Sequence, residues 1–95
     1  MLIVASGQHF VDRHRTALIN RVKDTEAILD ELKDRGLISN ENYDTVRALT
    51  TTQNQMREIF RFLNSAGRRG KDAFYEIMRG MKHLRPLISE LEGSG

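Results

Sequence analysis

The sequence predicts an all-α domain, an antiparallel bundle of six short helices joined by short loops. Three observations predict it. Apolar residues recur at three- and four-residue spacing in successive segments of the 95-residue chain. Residues typical of helix ends separate those segments. No stretch of useful length alternates apolar with polar residues, which is the pattern of a half-buried strand.

The first two predicted helices cover residues 8–22 and 24–35. Apolar residues three and four apart, from Phe10 onward, form the inner stripe of the first helix. Asp24 suits the N-cap of the second helix, because a carboxylate oxygen there can accept a bond from a first-turn N–H. Gly36 can end the second helix in the left-handed conformation.

Four further helices are predicted between residues 39 and 92. Ser39 suits the N-cap of the third helix, and Thr52-Gln53-Asn54-Gln55 fits the capping-box pattern at the start of the fourth. Gly67-Arg68-Arg69-Gly70 predicts a loop between the fourth and fifth helices. Pro86 suits the first turn of the sixth helix.

The chain length predicts one domain, at residues 8–92. Residues 1–7 are interpreted as a linker or a cloning remnant, and residues 93–95 as a C-terminal tail. The sequence contains no cysteine, which excludes a disulfide framework and thiolate metal sites. No apolar run approaches the ~20 residues that a membrane helix needs, so no membrane partner is predicted.

Charge is strongly segregated along the chain, although the net charge is only +2. Residues 12–23 hold four bases against one acid, a net +3. Residues 24–44 hold seven acids against two bases, a net −5, and residues 57–85 hold eight bases against three acids, a net +5. The folded domain is therefore predicted to be electrically bipolar.

This segregation suggests docking of one copy of the chain onto another. The exposed charges expected on the first two helices are Arg13, Arg15 and Arg21, then Asp24, Glu26, Asp30 and Glu31. Segregated charge costs self-repulsion within each patch but steers unlike faces together. Head-to-tail docking grows into a helical filament when its rotation does not close. The alternative is that these charged residues form an ordinary solvated helix surface, whose exposed ion pairs contribute roughly 0–1 kcal/mol to folding stability.

A nucleic-acid-binding helical domain is a weaker alternative. It would use the bases Arg57, Arg61, Arg68, Arg69, Lys71, Arg79, Lys82 and Arg85. The acidic second helix would repel a phosphate backbone, and no helix-turn-helix signature is recognisable.

The sequence predicts no catalytic residue, metal or cofactor. The histidines His9 and His14 are five residues apart, the wrong spacing for one helix face, and His83 lies far along the chain. No serine has a neighbouring base that would indicate a nucleophile. The 67–70 segment lacks the lysine and the preceding strand of a phosphate loop.

Several segments resemble the caspase recruitment domain (CARD) family. They are HFVDRHRTALINRV, AILDEL, NYDTVRA, QMREIF and KDAFYEIMR, and they follow one another over residues 8–92 without a missing helix. The first segment is similar to the branch found in inflammasome adaptors and in NLR sensors that end in such a domain. Ala27 stands where the adaptors carry a tryptophan.

The resemblance implies a death fold with Greek-key helix order and no enzymatic activity. It implies an inflammasome adaptor module that forms filaments with itself and recruits the CARD of an inflammatory caspase, which proximity then activates. CARD-containing NLR sensors are further implied partners. The implied location is the cytoplasm, with a perinuclear speck on activation. The alternative parents are an NLR sensor and a caspase prodomain.

The resemblance also assigns interaction residues. The family's basic face falls on Arg15, with Arg57 nearby, and its acidic counterpart on Glu26 and Asp30. A third interface would use Glu41 and Asp44. Together with their charged neighbours, these residues define two predicted surfaces. The basic face consists of Arg13, Arg15, Arg21, Arg57 and Arg61, and the acidic face of Asp24, Glu26, Asp30, Glu41 and Asp44.

Overall fold

The computed structural model describes residues 9–93, which form helices and no strand. The α-helices are α1 Phe10–Arg13, α2 Arg15–Arg21, α3 Thr25–Asp34, α4 Asn40–Arg47, α5 Thr52–Gly80 and α6 Arg85–Gly93, with a 3-10 turn at Lys82–Leu84. The all-α prediction is confirmed. None of these helices is both long and apolar enough to cross a membrane. The predicted linker at residues 1–7 and the last two residues of the predicted tail lie outside the described residues.

The first predicted helix is broken at His14, so that α1 and α2 replace one continuous helix. His14 has φ −107° and ψ 23°, while its N–H still donates to the Phe10 carbonyl at 3.0 Å. The His14 and Phe10 rings lie 4.7 Å apart. Because position 14 holds neither glycine nor proline, nothing in the local sequence indicates the break.

Helix α5 folds back on itself at Gly67. This residue has φ 75° and ψ −162°, a conformation essentially confined to glycine. The rings of Phe60 and Phe74 meet edge to face, with centroids 5.5 Å apart. In a straight helix, residues fourteen positions apart would be separated by about 21 Å along the axis. The segments 52–66 and 68–80 are therefore two packed helices, which correspond to the predicted fourth and fifth.

The predicted loop at 67–70 is wrong in extent, because one residue makes the reversal. Gly70 is already helical and buried. A Cβ atom at Gly70 would lie 2.6 Å from the Cβ of Ala66. The second glycine is thus explained by the close approach of the chain after the kink.

The caps agree with the sequence at three positions. Ser39 accepts a bond from the Asn42 N–H at 3.1 Å. Gly36 ends α3 with φ +74°, and Pro86 lies in the first turn of α6.

One cap prediction is wrong, and a second, Asp24, is right in position but not in its bond. Thr51, rather than Thr52, caps α5 by accepting from the Asn54 N–H at 3.1 Å. Asp24 makes no capping bond to α3, because its carboxylate is bonded to His83 instead.

The core draws residues from every helix and centres on α5. Helix α5 packs against α1, α2, α3, α4 and α6. The buried side chains of α5 include Phe60, Leu63 and Phe74. They meet Leu18 of α2 and Ile28 of α3 in one hydrophobic cluster. The position of the segment before Gly67, which carries Arg57 and Arg61, is fixed by this packing.

Gly67→Ala is expected to lower the free energy of unfolding by about 1–3 kcal/mol. No atom lies within 4 Å of the added Cβ, so the cost comes from the backbone conformation alone. Chemical denaturation measures it. The matched control is Gly80→Ala at the exposed end of α5, which also has open space but no positive φ. We expect that control to be neutral or stabilising by up to about 1 kcal/mol. Equal losses in both variants would contradict the role of Gly67.

Candidate functional site

The basic face is assembled from two separated parts of the chain. Arg13 and Arg15 lie on α1 and α2, whereas Arg57 and Arg61 lie on the first segment of α5, and all four are exposed. The Arg15 guanidinium lies 5.6 Å from the centroid of the Phe60 ring. Since Phe60 stands between Arg57 and Arg61 in α5, the structure brings Arg15 to that stretch of the helix.

The arginines of α5 are tied to their own helix. Arg57 donates to the Asn54 side chain at 2.9 Å, and Arg61 lies 3.5 Å from the Glu58 carboxylate. These contacts lie within one turn and leave both guanidinium groups at the surface.

Arg21 is used within the molecule. Its two terminal nitrogens donate to the two carboxylate oxygens of Glu90 in α6, at 2.6 and 3.2 Å. The hydrogen bonds and the charge of the partner raise the pKa of Arg21 and lower the pKa of Glu90. This fork-shaped pair fastens the last helix to the end of α2.

Asp24 also has an intramolecular partner. Its carboxylate lies 2.5 Å from the Nε2 atom of His83, in the 3-10 turn before α6. Arg21 and Asp24 are two of the ten predicted interaction residues. In the structure, both join the C-terminal part of the chain to the region where α2 ends and α3 begins.

The centre of the acidic face is built by α3 and α4 together. Glu26 and Asp30 are one turn apart on α3, and Tyr43 and Arg47 are one turn apart on α4. The Tyr43 hydroxyl donates to Asp30 at 2.5 Å, and an Arg47 nitrogen lies 3.2 Å from the Glu26 carboxylate. Glu26 and Asp30 are thus each held by one side chain of the neighbouring helix α4.

Two cations lie at the Tyr43 ring. The Lys33 ammonium is 4.4 Å from the ring centroid and the Arg47 guanidinium is 5.6 Å from it. The hydrogen bond to Asp30 raises the pKa of Tyr43, and partial burial raises it further. Tyr43 therefore keeps its proton and remains a hydrogen-bond donor.

Sequence reasoning missed Tyr43 and Arg47 as members of this site. Tyr43 is partly buried against the core. The available signal was the four-residue spacing of Tyr43 and Arg47, which matches that of Glu26 and Asp30. The other predicted acids, Glu41 and Asp44, are exposed on α4.

Several basic side chains of the C-terminal half have partners within the same molecule. The Lys71 ammonium, with a side chain only 19% exposed, lies 2.7 Å from the Asp12 carboxylate. Arg68 pairs with Asp72 at 3.8 Å, and the Arg79 guanidinium lies 5.6 Å from the centroid of the Tyr75 ring. Such pairing reduces the continuous positive surface that a phosphate backbone would need.

His9, like His83, has a carboxylate partner in a distant part of the chain. The Nδ1 atom of His9 accepts from the Val11 N–H at 3.2 Å, so Nε2 carries the ring proton of the neutral form and donates to Asp72 at 2.6 Å. This contact ties the start of α1 to the second segment of α5. Across residues 9–93, no three histidine or carboxylate side chains group in a way that could hold a metal ion.

The chain is similar to known proteins over most of its length. The family model for the caspase recruitment domain matches residues 8–94. NACHT, LRR and PYD domains-containing protein 1a allele 1 of Rattus norvegicus is 42% identical over 88 residues, covering 92% of this chain and 7% of that protein. The protein 1b allele 3 of Mus musculus is 40% identical over 88 residues, with the same coverage of both chains.

A third relative is shorter. The apoptosis-associated speck-like protein containing a CARD, of Mus musculus, is 39% identical over 87 residues, covering 90% of this chain and 43% of that protein. The chain thus spans less than half the length of each of these relatives.

The two tyrosines of the chain are expected to titrate above their ordinary value of about 10. Each hydroxyl donates to a carboxylate, Tyr43 to Asp30 and Tyr75 to Glu92, so ionisation would place two negative charges together. The stabilising contribution is full below the unfolded pKa and is lost as pH rises through the folded pKa. Phenolate absorbance against pH, in native and denaturing buffer, measures the difference.

Single variants separate the two tyrosines. Asp30→Asn removes the charge but keeps an acceptor oxygen, and it should lower the pKa of Tyr43 alone. Glu92→Gln is the matched control and should lower the pKa of Tyr75 alone. A titration unchanged in both variants would contradict the two contacts.

Proposed function

The chain belongs to the caspase recruitment domain family, and from that premise we propose that it is an adaptor module that assembles with itself into filaments. The basic face of one copy docks on the acidic face of the next. The observation that carries this proposal is the placement of unlike charges on different helices: Arg15 of α2 lies at Phe60, between Arg57 and Arg61 in the sequence of α5, whereas Glu26 and Asp30 lie on α3. Unlike faces on one molecule support a head-to-tail contact, which repeats without limit unless it closes into a ring.

Electrostatics supports this contact more strongly than apolar burial does. The apolar side chains of α2, α3 and α5 that point inward form the core, while the named arginines and carboxylates are exposed. Exposed charges arranged in this way steer encounter and fix register. They give the isolated domain little folding stability.

We further propose that the assembled chain recruits the CARD of an inflammatory caspase in the cytoplasm, at a perinuclear speck. One relative is named for specks and apoptosis, and others carry the NACHT, LRR and PYD designation. Alternatively, the chain is the CARD of an NLR sensor or the prodomain of a caspase. The neighbouring domains of the intact protein separate these: a receptor's oligomerisation and autoproteolytic domains indicate the sensor, a protease domain indicates the caspase, and a pyrin domain with none of these indicates the adaptor.

Charge reversal tests the docking. We expect Arg15→Glu and Asp30→Arg each to slow assembly, followed by light scattering, by at least about tenfold, because each puts like charges together. Combining both changes should restore part of the rate by recreating an attractive pair. The matched control is Arg69→Glu, an exposed arginine outside both faces.

Thermal unfolding of each variant checks that the fold survives. Arg15→Glu and Asp30→Arg variants that fold and assemble as fast as the unmodified chain would contradict docking through these two faces.

Seeding tests the proposed partner. Preassembled chain, added in small amounts, should shorten the lag before a purified inflammatory-caspase CARD polymerises, because an existing filament end supplies the docking face. Equal mass of the Arg15→Glu variant is the control and should seed less. An unchanged lag with seeds of the unmodified chain would remove the caspase as partner while leaving self-assembly intact.

A further inference from the structure

Arg47 lies in the middle of the acidic face. It stands in the last turn of α4, where one terminal nitrogen is 3.2 Å from the Glu26 carboxylate. The side chains are 53% and 67% exposed, respectively, so solvent and an approaching molecule reach both. Glu26 is therefore already in contact with a guanidinium group before any partner arrives.

Asp30 has a different neighbour. It receives the Tyr43 hydroxyl at 2.5 Å, and a neutral donor leaves the carboxylate its full charge. Lys33 and Arg47 both lie at the Tyr43 ring, 4.4 and 5.6 Å from its centroid. The centre of the acidic face thus holds two carboxylates, Glu26 and Asp30, together with two cations, and of these cations Arg47 contacts a carboxylate directly.

We propose that Arg47 is an internal competitor: it takes, within one copy of the chain, the position on Glu26 that a cationic side chain of a second copy takes on assembly. This inference rests on the proposed self-assembly. An exposed ion pair is weak, so a second guanidinium can displace Arg47. Until it does, Arg47 lowers the negative potential that steers a basic face toward α3. The concentration needed for assembly is raised accordingly.

The chain contains a matched arrangement elsewhere. Tyr75 of α5 donates to Glu92 of α6, and the Arg79 guanidinium lies 5.6 Å from the Tyr75 ring centroid. Arg79→Gln therefore removes an exposed arginine from a tyrosine ring beside a carboxylate, as Arg47→Gln does. The loss of net charge is identical, but the change lies outside the acidic face.

The experiment measures the critical concentration for assembly by light scattering. Arg47→Gln should lower it by about two- to fivefold, the range that loss of a weak exposed pair can produce. Arg79→Gln should leave it within error of the unmodified chain. Thermal unfolding midpoints establish that both variants fold.

A second background locates the effect at Glu26. In chains that already carry Glu26→Gln, adding Arg47→Gln should leave the critical concentration unchanged, because there is no carboxylate left to release. A decrease that persists in that background overturns competition at Glu26. So does an equal decrease with Arg79→Gln, which would reflect net charge alone.

The remaining outcomes separate this inference from the proposed function. If the unmodified chain assembles and Asp30→Arg blocks it, but Arg47→Gln assembles no more readily, only the competition is overturned. If the unmodified chain fails to assemble at any concentration, the proposed function and the competition both fall.

Discussion

The chain reversal at Gly67 is the constraint on which the rest of the structure depends. It lets Phe74 meet Phe60 edge to face, and the two segments of α5 then supply the centre against which α2 and α3 pack. The first segment also carries Arg57 and Arg61. The same backbone feature that closes the core therefore sets where Arg57 and Arg61 of the basic face lie relative to Arg15 on α2.

Charged side chains close the bundle between parts of the chain that are distant in sequence. Arg21 reaches Glu90, Asp24 reaches His83 and Lys71 reaches Asp12, across 69, 59 and 59 positions. These contacts hold α6 and α1 to the remainder of the bundle. Segregated charge thus has an intramolecular role beside its proposed role in docking. Arg21 and Asp24 serve mainly the intramolecular role, because both have partners within the bundle.

Much of the fold could be predicted because it depends on local patterns. Apolar spacing predicts where the helices lie, and Ser39 and Gly36 mark helix ends that the structure confirms. The second predicted helix, which is α3 in the structure, carries Glu26 and Asp30 as expected. The break at His14 has no local signal. The extent of the predicted loop at 67–70 was wrong because a glycine pair is compatible with a full turn and with a single-residue kink.

The contacts of the acidic face were beyond sequence reasoning for a different reason. That Tyr43 meets Asp30 and Arg47 meets Glu26 depends on how α4 is set against α3 along its length. Sliding one helix by a turn would change which of these side chains meet without altering the apolar pattern of the sequence. Helix periodicity predicts which residues share a face, and only the packed structure decides which of them meet.

The intramolecular partners of the charged residues differ in how available they leave each residue for the proposed docking. Glu26 faces a guanidinium group and Arg21 a carboxylate, so a second molecule must exchange one ion pair for another at either residue. Asp30 is held by a neutral hydroxyl and Arg15 lies over a phenyl ring. Neither contact cancels a formal charge, and both orient the side chain. We therefore expect Arg15 and Asp30 to contribute most to the proposed docking, because each is oriented by a neutral group and has no ion-pair partner within residues 9–93 that must be displaced first.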